Sequence, residues 1–146
     1  MSALFEHSPW VEERADARPS SGARHADLMA VVNEATREEQ LALIRAHPEL
    51  AGKAAVDGSL TEASAAEQAS AGLDRLSQEE FDRFHALNGA YREKFGFPFI
   101  ICVRLTDKAG ILAAMERRLA NDRETEIATA LGEIGEIVRL RLEDRA

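Results

Sequence analysis

At 146 residues and 45% apolar, the chain is long enough to bury one core and too apolar for disorder to be its general state. A formal charge of −8 argues against nucleic acid and anionic membrane as general partners, and any anionic ligand would need a local positive group. A single cysteine, Cys102, excludes an internal disulfide framework and a cysteine-rich zinc site. The start, "MSALFEHSPW", shows no basic region ahead of an apolar stretch, and no apolar run approaches the roughly 20 residues needed to span a bilayer. A cytoplasmic protein is the expectation. Aromatics amount to only 5%, while Ala, Leu, Glu and Arg are plentiful, a bias that favours helix.

Residues 1–22, with Pro9, Pro19 and a "PSSG" turn, read as irregular. From about Arg24, Leu28, Val31, Val32 and Ala35 mark a helical stripe. Thr36 and Glu39 have capping-box spacing, so a second helix is expected from Arg37, with Leu41, Ile44 and Ala42 inward. It should stop near Ala46 or His47, because Pro48 disfavours helical dihedrals in the residue before it. Residues 55–60 read as a loop. Thr61 can cap a helix over 62–71 ending at Gly72, and Ser77 with Glu80 forms a second capping box. The long helix that follows carries Phe81, Phe84, Leu87, Asn88, Tyr91 and Phe95 and ends at Gly96. "FPFIICV" (97–103) is strand-like but short and broken by Pro98, so it reads as a buried extended connection. Helix returns over about 108–119, with Ile111, Leu112, Met115 and Leu119 inward. A last helix over about 123–143 places Ile127, Leu131, Ile134 and Val138 on one stripe. The expectation is an all-α bundle of seven to eight helices forming one domain over 1–146.

Three features do not fit packing alone. Continuing the last stripe leads to Arg141, whereas Arg139 lies about 200° away around the helix. An inward guanidinium needs an anion; near the chain end it can equally snorkel to solvent or pair with any carboxylate. Ser64, Glu67 and Gln68 fall at i, i+3 and i+4 on an alanine-rich helix. They form either a solvated face or a cluster able to read the polar edge of a heterocycle. His47 either meets the carbonyls at a helix C-terminus or supplies a titrating group. No histidine has a second at metal-ligand spacing, and there is no Gly-rich phosphate loop or nucleophile elbow.

Read together, five stretches resemble the 2-oxo-4-hydroxy-4-carboxy-5-ureidoimidazoline (OHCU) decarboxylases of urate breakdown. They are "HSPWVEERADARP" (7–19), "RAHPELAGKAA" (45–55), "LTEASAAEQASAGLDRLS" (60–77), "FHALNGAYREKFGFPFIICVR" (84–104) and "RRLANDRETEIATALGEIGEIVRLRL" (117–142). His-Pro-x-Leu-Ala, Ser-x-x-Glu-Gln and Lys-Phe-Gly-Phe-Pro-Phe are the specific blocks.

The resemblance implies an all-helical homodimer that uses neither metal nor organic cofactor and converts its ureidoimidazoline substrate to (S)-allantoin. It assigns the catalytic histidine to His47 and substrate contacts to Ser64, Glu67 and Gln68, with the late arginine at Arg141. Glu67 joins His47 as a catalytic group, accepting from substrate N–H groups and fixing the protonated face. Pro48 holds the His47 ring at the pocket edge, and backbone groups of Phe99, Ile100 and Ile101 complete the site. A His47 near its ordinary pKa is expected to act as general acid/base, and Leu50, Phe97 or Phe99 to desolvate the departing carboxylate. The competing reading is a non-catalytic helical module that binds a purine-derived metabolite; it would need Glu67 and Arg141 but has little use for a titrating His47.

Overall fold

Thr36 and Ser77 each close the capping box that their spacing predicts: hydroxyl to the N–H three residues on, glutamate back to the cap N–H. The computed structural model describes residues 4–51 and 60–145, and these two caps open two of the seven α-helices among the described residues. These are α1 (Trp10–Asp16), α2 (Arg24–Glu34), α3 (Arg37–Arg45), α4 (Glu62–Ser70), α5 (Gln78–Phe95), α6 (Lys108–Arg118) and α7 (Arg123–Arg145), with a 3-10 turn at Val103–Leu105 before α6. The described residues contain no strand, as the composition implies. None of their helices is long and apolar enough to cross a membrane.

One helix appears where irregular chain was expected. α1 is short enough to show no repeated stripe; it buries Val11 and Ala15, one turn apart, while Glu12 and Glu13 occupy its favourable N-terminal turn. Burial also corrects two faces. In α3 the buried positions are Gln40, Leu43 and Ile44, with Ala42 exposed and Leu41 half-buried. In α6 Ala114 and Arg118 are buried, while Leu112 and Leu119 are only partly covered. Gln40 and Arg118 are admitted because each is hydrogen-bonded: Gln40 Nε2 donates to the Val32 carbonyl at 2.9 Å and Arg118 Nε to Glu126 at 2.8 Å. The loop expected over 55–60 lies, apart from Leu60, outside the described residues.

The long helix α7 forms the spine, packing on α2 and α3, while α5 pairs with α6 and α4 lies against the 3-10 turn. Leu28, Val32, Ile44, Phe84, Ile111, Met115, Ile127, Ile134 and Val138 are all fully buried between them. At the end of α5, Gly96 takes φ +80°, the left-handed conformation open to glycine at little cost, and turns the chain into 97–102. That segment has no regular secondary structure and is mostly buried, with Cys102 extended. Arg118 Nη1 donates to the Ile100 carbonyl at 2.7 Å, the guanidinium lies 4.2 Å from the Phe99 ring centroid, and Glu133 accepts the Cys102 N–H at 2.9 Å.

Candidate active site

α3 ends at Arg45, and His47 follows the last turn with its N–H on the Ile44 carbonyl at 3.1 Å. The chain from His47 to Ala51 is pinned at its far end. Asn88 donates to the Leu50 carbonyl at 2.8 Å, and Gln68 Oε1 accepts the Ala51 N–H at 3.0 Å, with Ala51 at φ +53°. Gln68 therefore spends its amide oxygen on the turn that carries His47 and orients its NH2 group away from that bond.

The His47 side chain is buried, with Nδ1 3.0 Å from the Leu43 carbonyl oxygen and Nε2 without a hydrogen-bond partner among the described residues. A carbonyl oxygen can only accept, so Nδ1 carries the hydrogen and Nε2 the lone pair. Burial pushes the pKa down to about 4, against smaller upward effects of the Leu43 carbonyl and Glu6. This corrects the expectation of a histidine near its ordinary value. At neutral pH the ring is an uncharged base and acceptor.

Arg141 emerges from α7 almost fully buried, on the continuation of the apolar stripe. Its Nε and Nη2 grip Glu67 of α4 at 2.8 and 2.7 Å, a two-point contact. Nη2 also reaches Glu6 at 2.8 Å and Ser64 Oγ at 3.4 Å, and Nη1 reaches the Leu4 carbonyl at 3.3 Å. Burial opposes the guanidinium charge, but the Glu67 and Glu6 carboxylates outweigh it and hold the pKa above the usual value. An anionic ligand of this acidic chain would need a local positive group, and the Arg141 charge does not stand free for that purpose. Two carboxylates instead more than offset it locally.

Arg139, two positions away, pairs along the surface of α7 with Glu136 and Glu143 at 2.8 and 3.5 Å and takes no part in the pocket. Glu6 has no signal in the sequence. It is a lone carboxylate in the stretch read as irregular, and only the fold brings it to Ser64 and Arg141. Burial raises its carboxyl pKa, but the Ser64 hydroxyl and Arg141 prevail and leave it below the ordinary range.

The nine candidate site residues His47, Pro48, Ser64, Glu67, Gln68, Phe99, Ile100, Ile101 and Arg141 all border one cleft. Leu50, Cys102, Val103, Arg104 and Ile137 complete its wall. Burial pushes the Cys102 thiol up to about 11, so it is an inert apolar lining group at neutral pH. Phe97 does not border the cleft; it turns into the core, edge-on to Tyr91 and stacked on Phe95. The arrangement joins an uncharged base, an acceptor carboxylate and a paired guanidinium to an apolar wall. It suits a small polar heterocycle whose proton must move.

The profile of a family described as OHCU decarboxylase matches residues 1–143. A 2-oxo-4-hydroxy-4-carboxy-5-ureidoimidazoline decarboxylase of Haloferax volcanii is 46% identical over 145 residues, 97% of this chain and 84% of that protein. The uric acid degradation bifunctional protein PucL of Bacillus subtilis is 42% identical over 99% of this chain, which corresponds to 29% of its own length. Among solved structures, an (S)-allantoin synthase superposes with a TM-score of 0.72 at 31% identity, over 97% of this chain and 46% of that one.

Proposed function

Because the chain belongs to the OHCU decarboxylase family, we propose that it is a carboxy-lyase that converts 2-oxo-4-hydroxy-4-carboxy-5-ureidoimidazoline to (S)-allantoin in urate breakdown. The observation that carries the reading is the neutral, buried His47, which borders the same cleft as Glu67 and Arg141 and whose Nε2 has no partner among the described residues. A module that only binds a metabolite has little need of such a base.

The reaction leaves the protein a limited task. The substrate carboxylate departs as CO2; its bonding pair becomes a ring C=C, and the displaced C=N pair goes to the ring nitrogen, which takes up a proton from water. The enol so formed then becomes the carbonyl of allantoin: the hydroxyl oxygen gives up its proton and the ureido-bearing carbon gains one. His47 Nε2 accepts the hydroxyl proton, for which an uncharged imidazole is the competent form. Glu67 and the Ser64 oxygen accept from ring or ureido N–H groups and fix which face of the ring is protonated. Arg141 holds Glu67 at the cleft before substrate enters, and the backbone N–H groups of Phe99 to Ile101 line the opposite side. Leu50 and Phe99 offer the leaving carboxylate an apolar surface that favours neutral CO2.

In this reading residues 1–146 form one domain that works as a homodimer in the cytoplasm, on a small molecule and without nucleic acid or membrane as a partner. Light scattering on the purified protein tests the dimer. The activity is tested by generating the substrate from urate with urate oxidase and hydroxyisourate hydrolase, then following optical rotation. Rapid appearance of (S)-allantoin in excess over its mirror image is expected. Racemic allantoin forming at the uncatalysed rate would overturn the proposal.

A further inference from the structure

The second carboxylate on Arg141 has a function of its own, given the decarboxylation proposed above. Glu6 is 2% exposed and does not border the cleft. Its oxygens receive the Ser64 hydroxyl at 2.5 Å, the Thr61 hydroxyl at 3.0 and 3.2 Å, and Arg141 Nη2 at 2.8 Å. Glu67 differs in each respect. It borders the cleft, its side chain is 12% exposed, and its carboxylate is held by Arg141 through two N–H groups. One guanidinium thus faces a rear carboxylate saturated with donors and a front carboxylate within reach of a ligand.

A buried guanidinium resists losing its partner, because the charge would be left uncompensated in a low-dielectric site. With Glu67 as sole partner, turning that carboxylate toward a substrate would strand Arg141. Glu6 removes this obstacle. We propose that Glu6 is the permanent counter-ion of Arg141, and that it frees Glu67 to exchange its guanidinium bonds for the N–H donors of the bound ureidoimidazoline. Glu6 is therefore a positioning residue that acts through Arg141 and Glu67. Thr61 ties this arrangement to the fold: its hydroxyl donates to Glu6 while accepting the Ser64 N–H at 3.2 Å as the cap of α4.

A double-mutant cycle tests the assignment. Glu6→Gln keeps the shape of the side chain and removes its charge. With freshly generated substrate it should raise KM about ten-fold while kcat changes less than about three-fold. In a Glu67→Gln background, where no carboxylate has to leave the guanidinium, the same change should shift KM less than about two-fold. Where turnover is too slow for KM, the Kd of (S)-allantoin replaces it. An unchanged KM in Glu6→Gln, or an equal shift in both backgrounds, overturns the counter-ion role.

Should Glu6→Gln fail to fold, a crystal structure of the unaltered protein with (S)-allantoin decides. Glu67 bonded to the ligand while Glu6 stays on Arg141 supports the exchange. Glu67 still gripping the guanidinium, or a cleft that takes up no ligand, overturns it. An unaltered protein that makes no (S)-allantoin defeats the proposed function itself, whereas an active protein with additive variants defeats only the role of Glu6.

Discussion

His47 Nδ1 lies 3.0 Å from the carbonyl oxygen of Leu43, one helical turn earlier in the chain. The contact uses a carbonyl that α3 leaves unpaired at its end, and it settles which imidazole nitrogen carries hydrogen. Pro48 stops the helix so that His47 stands at that end, and Gln68 and Asn88 anchor the following turn through Ala51 and Leu50.

The pH dependence follows from burial of this ring. His47 titrates near 4 in the folded chain against 6.5 ordinarily. Above 6.5 both folded and unfolded forms are neutral and the group contributes nothing to stability. Below it the unfolded chain takes up a proton that the folded one refuses, so stability falls by up to about 1.4 kcal/mol per pH unit until about pH 4. Urea midpoints measured across that window should show this slope, and a His47→Gln variant should lack it. An imidazole titration by NMR should place His47 near 4, and kcat should show no inflection from His47 near 6.5.

Replacing His47 with Ala should lower kcat by about 10²- to 10⁴-fold. The far-ultraviolet circular dichroism should stay helical, and the residual product should be racemic. Turnover at the unaltered rate would remove His47 from the chemistry.

Arg141→Lys and Arg139→Lys form a matched pair. At position 141 a lysine cannot reproduce the planar two-point grip on Glu67 or the added bond to Glu6, so unfolding free energy should drop by about 2 kcal/mol and KM should rise. At position 139 the partners are exposed glutamates on the same helix, and both quantities should be unchanged. Thermal melts and steady-state kinetics on the two variants separate these outcomes.

A second buried ion pair supports the opposite wall. Glu126 takes Arg118 Nε at 2.8 Å, the Tyr91 hydroxyl at 2.6 Å and Asn121 Nδ2 at 2.9 Å. Arg118→Met would strand that carboxylate and release the Ile100 carbonyl. It should cost about 3–5 kcal/mol in urea unfolding and lower kcat through the loosened 99–101 segment.

Much of the candidate site was legible because its residues advertise themselves locally. His47 precedes a proline at a helix stop, Ser64, Glu67 and Gln68 share one helix face, and Arg141 falls on an otherwise apolar stripe. Each is a conflict between side-chain chemistry and the surrounding pattern. Glu6 and Arg118 present no such conflict. A glutamate in an irregular segment and one arginine of an Arg-Arg pair look like surface residues until their partners are known. α1 escaped for a related reason: seven residues are too few to repeat a stripe.

By itself, then, the sequence determined what depends on near neighbours: the helical class, the caps at Thr36, Thr61 and Ser77, the stop at Pro48, the turn at Gly96, and the inward place of Arg141, rather than Arg139, on the apolar stripe. These follow from the 3.6-residue period and from local hydrogen bonding. Only the tertiary structure decided the charge states that matter. The depressed pKa of His47 comes from burial among several helices, and the neutralisation of Arg141 comes from carboxylates 74 and 135 residues away in the chain. Desolvation and ion pairing depend on distance in space, which a linear pattern does not contain.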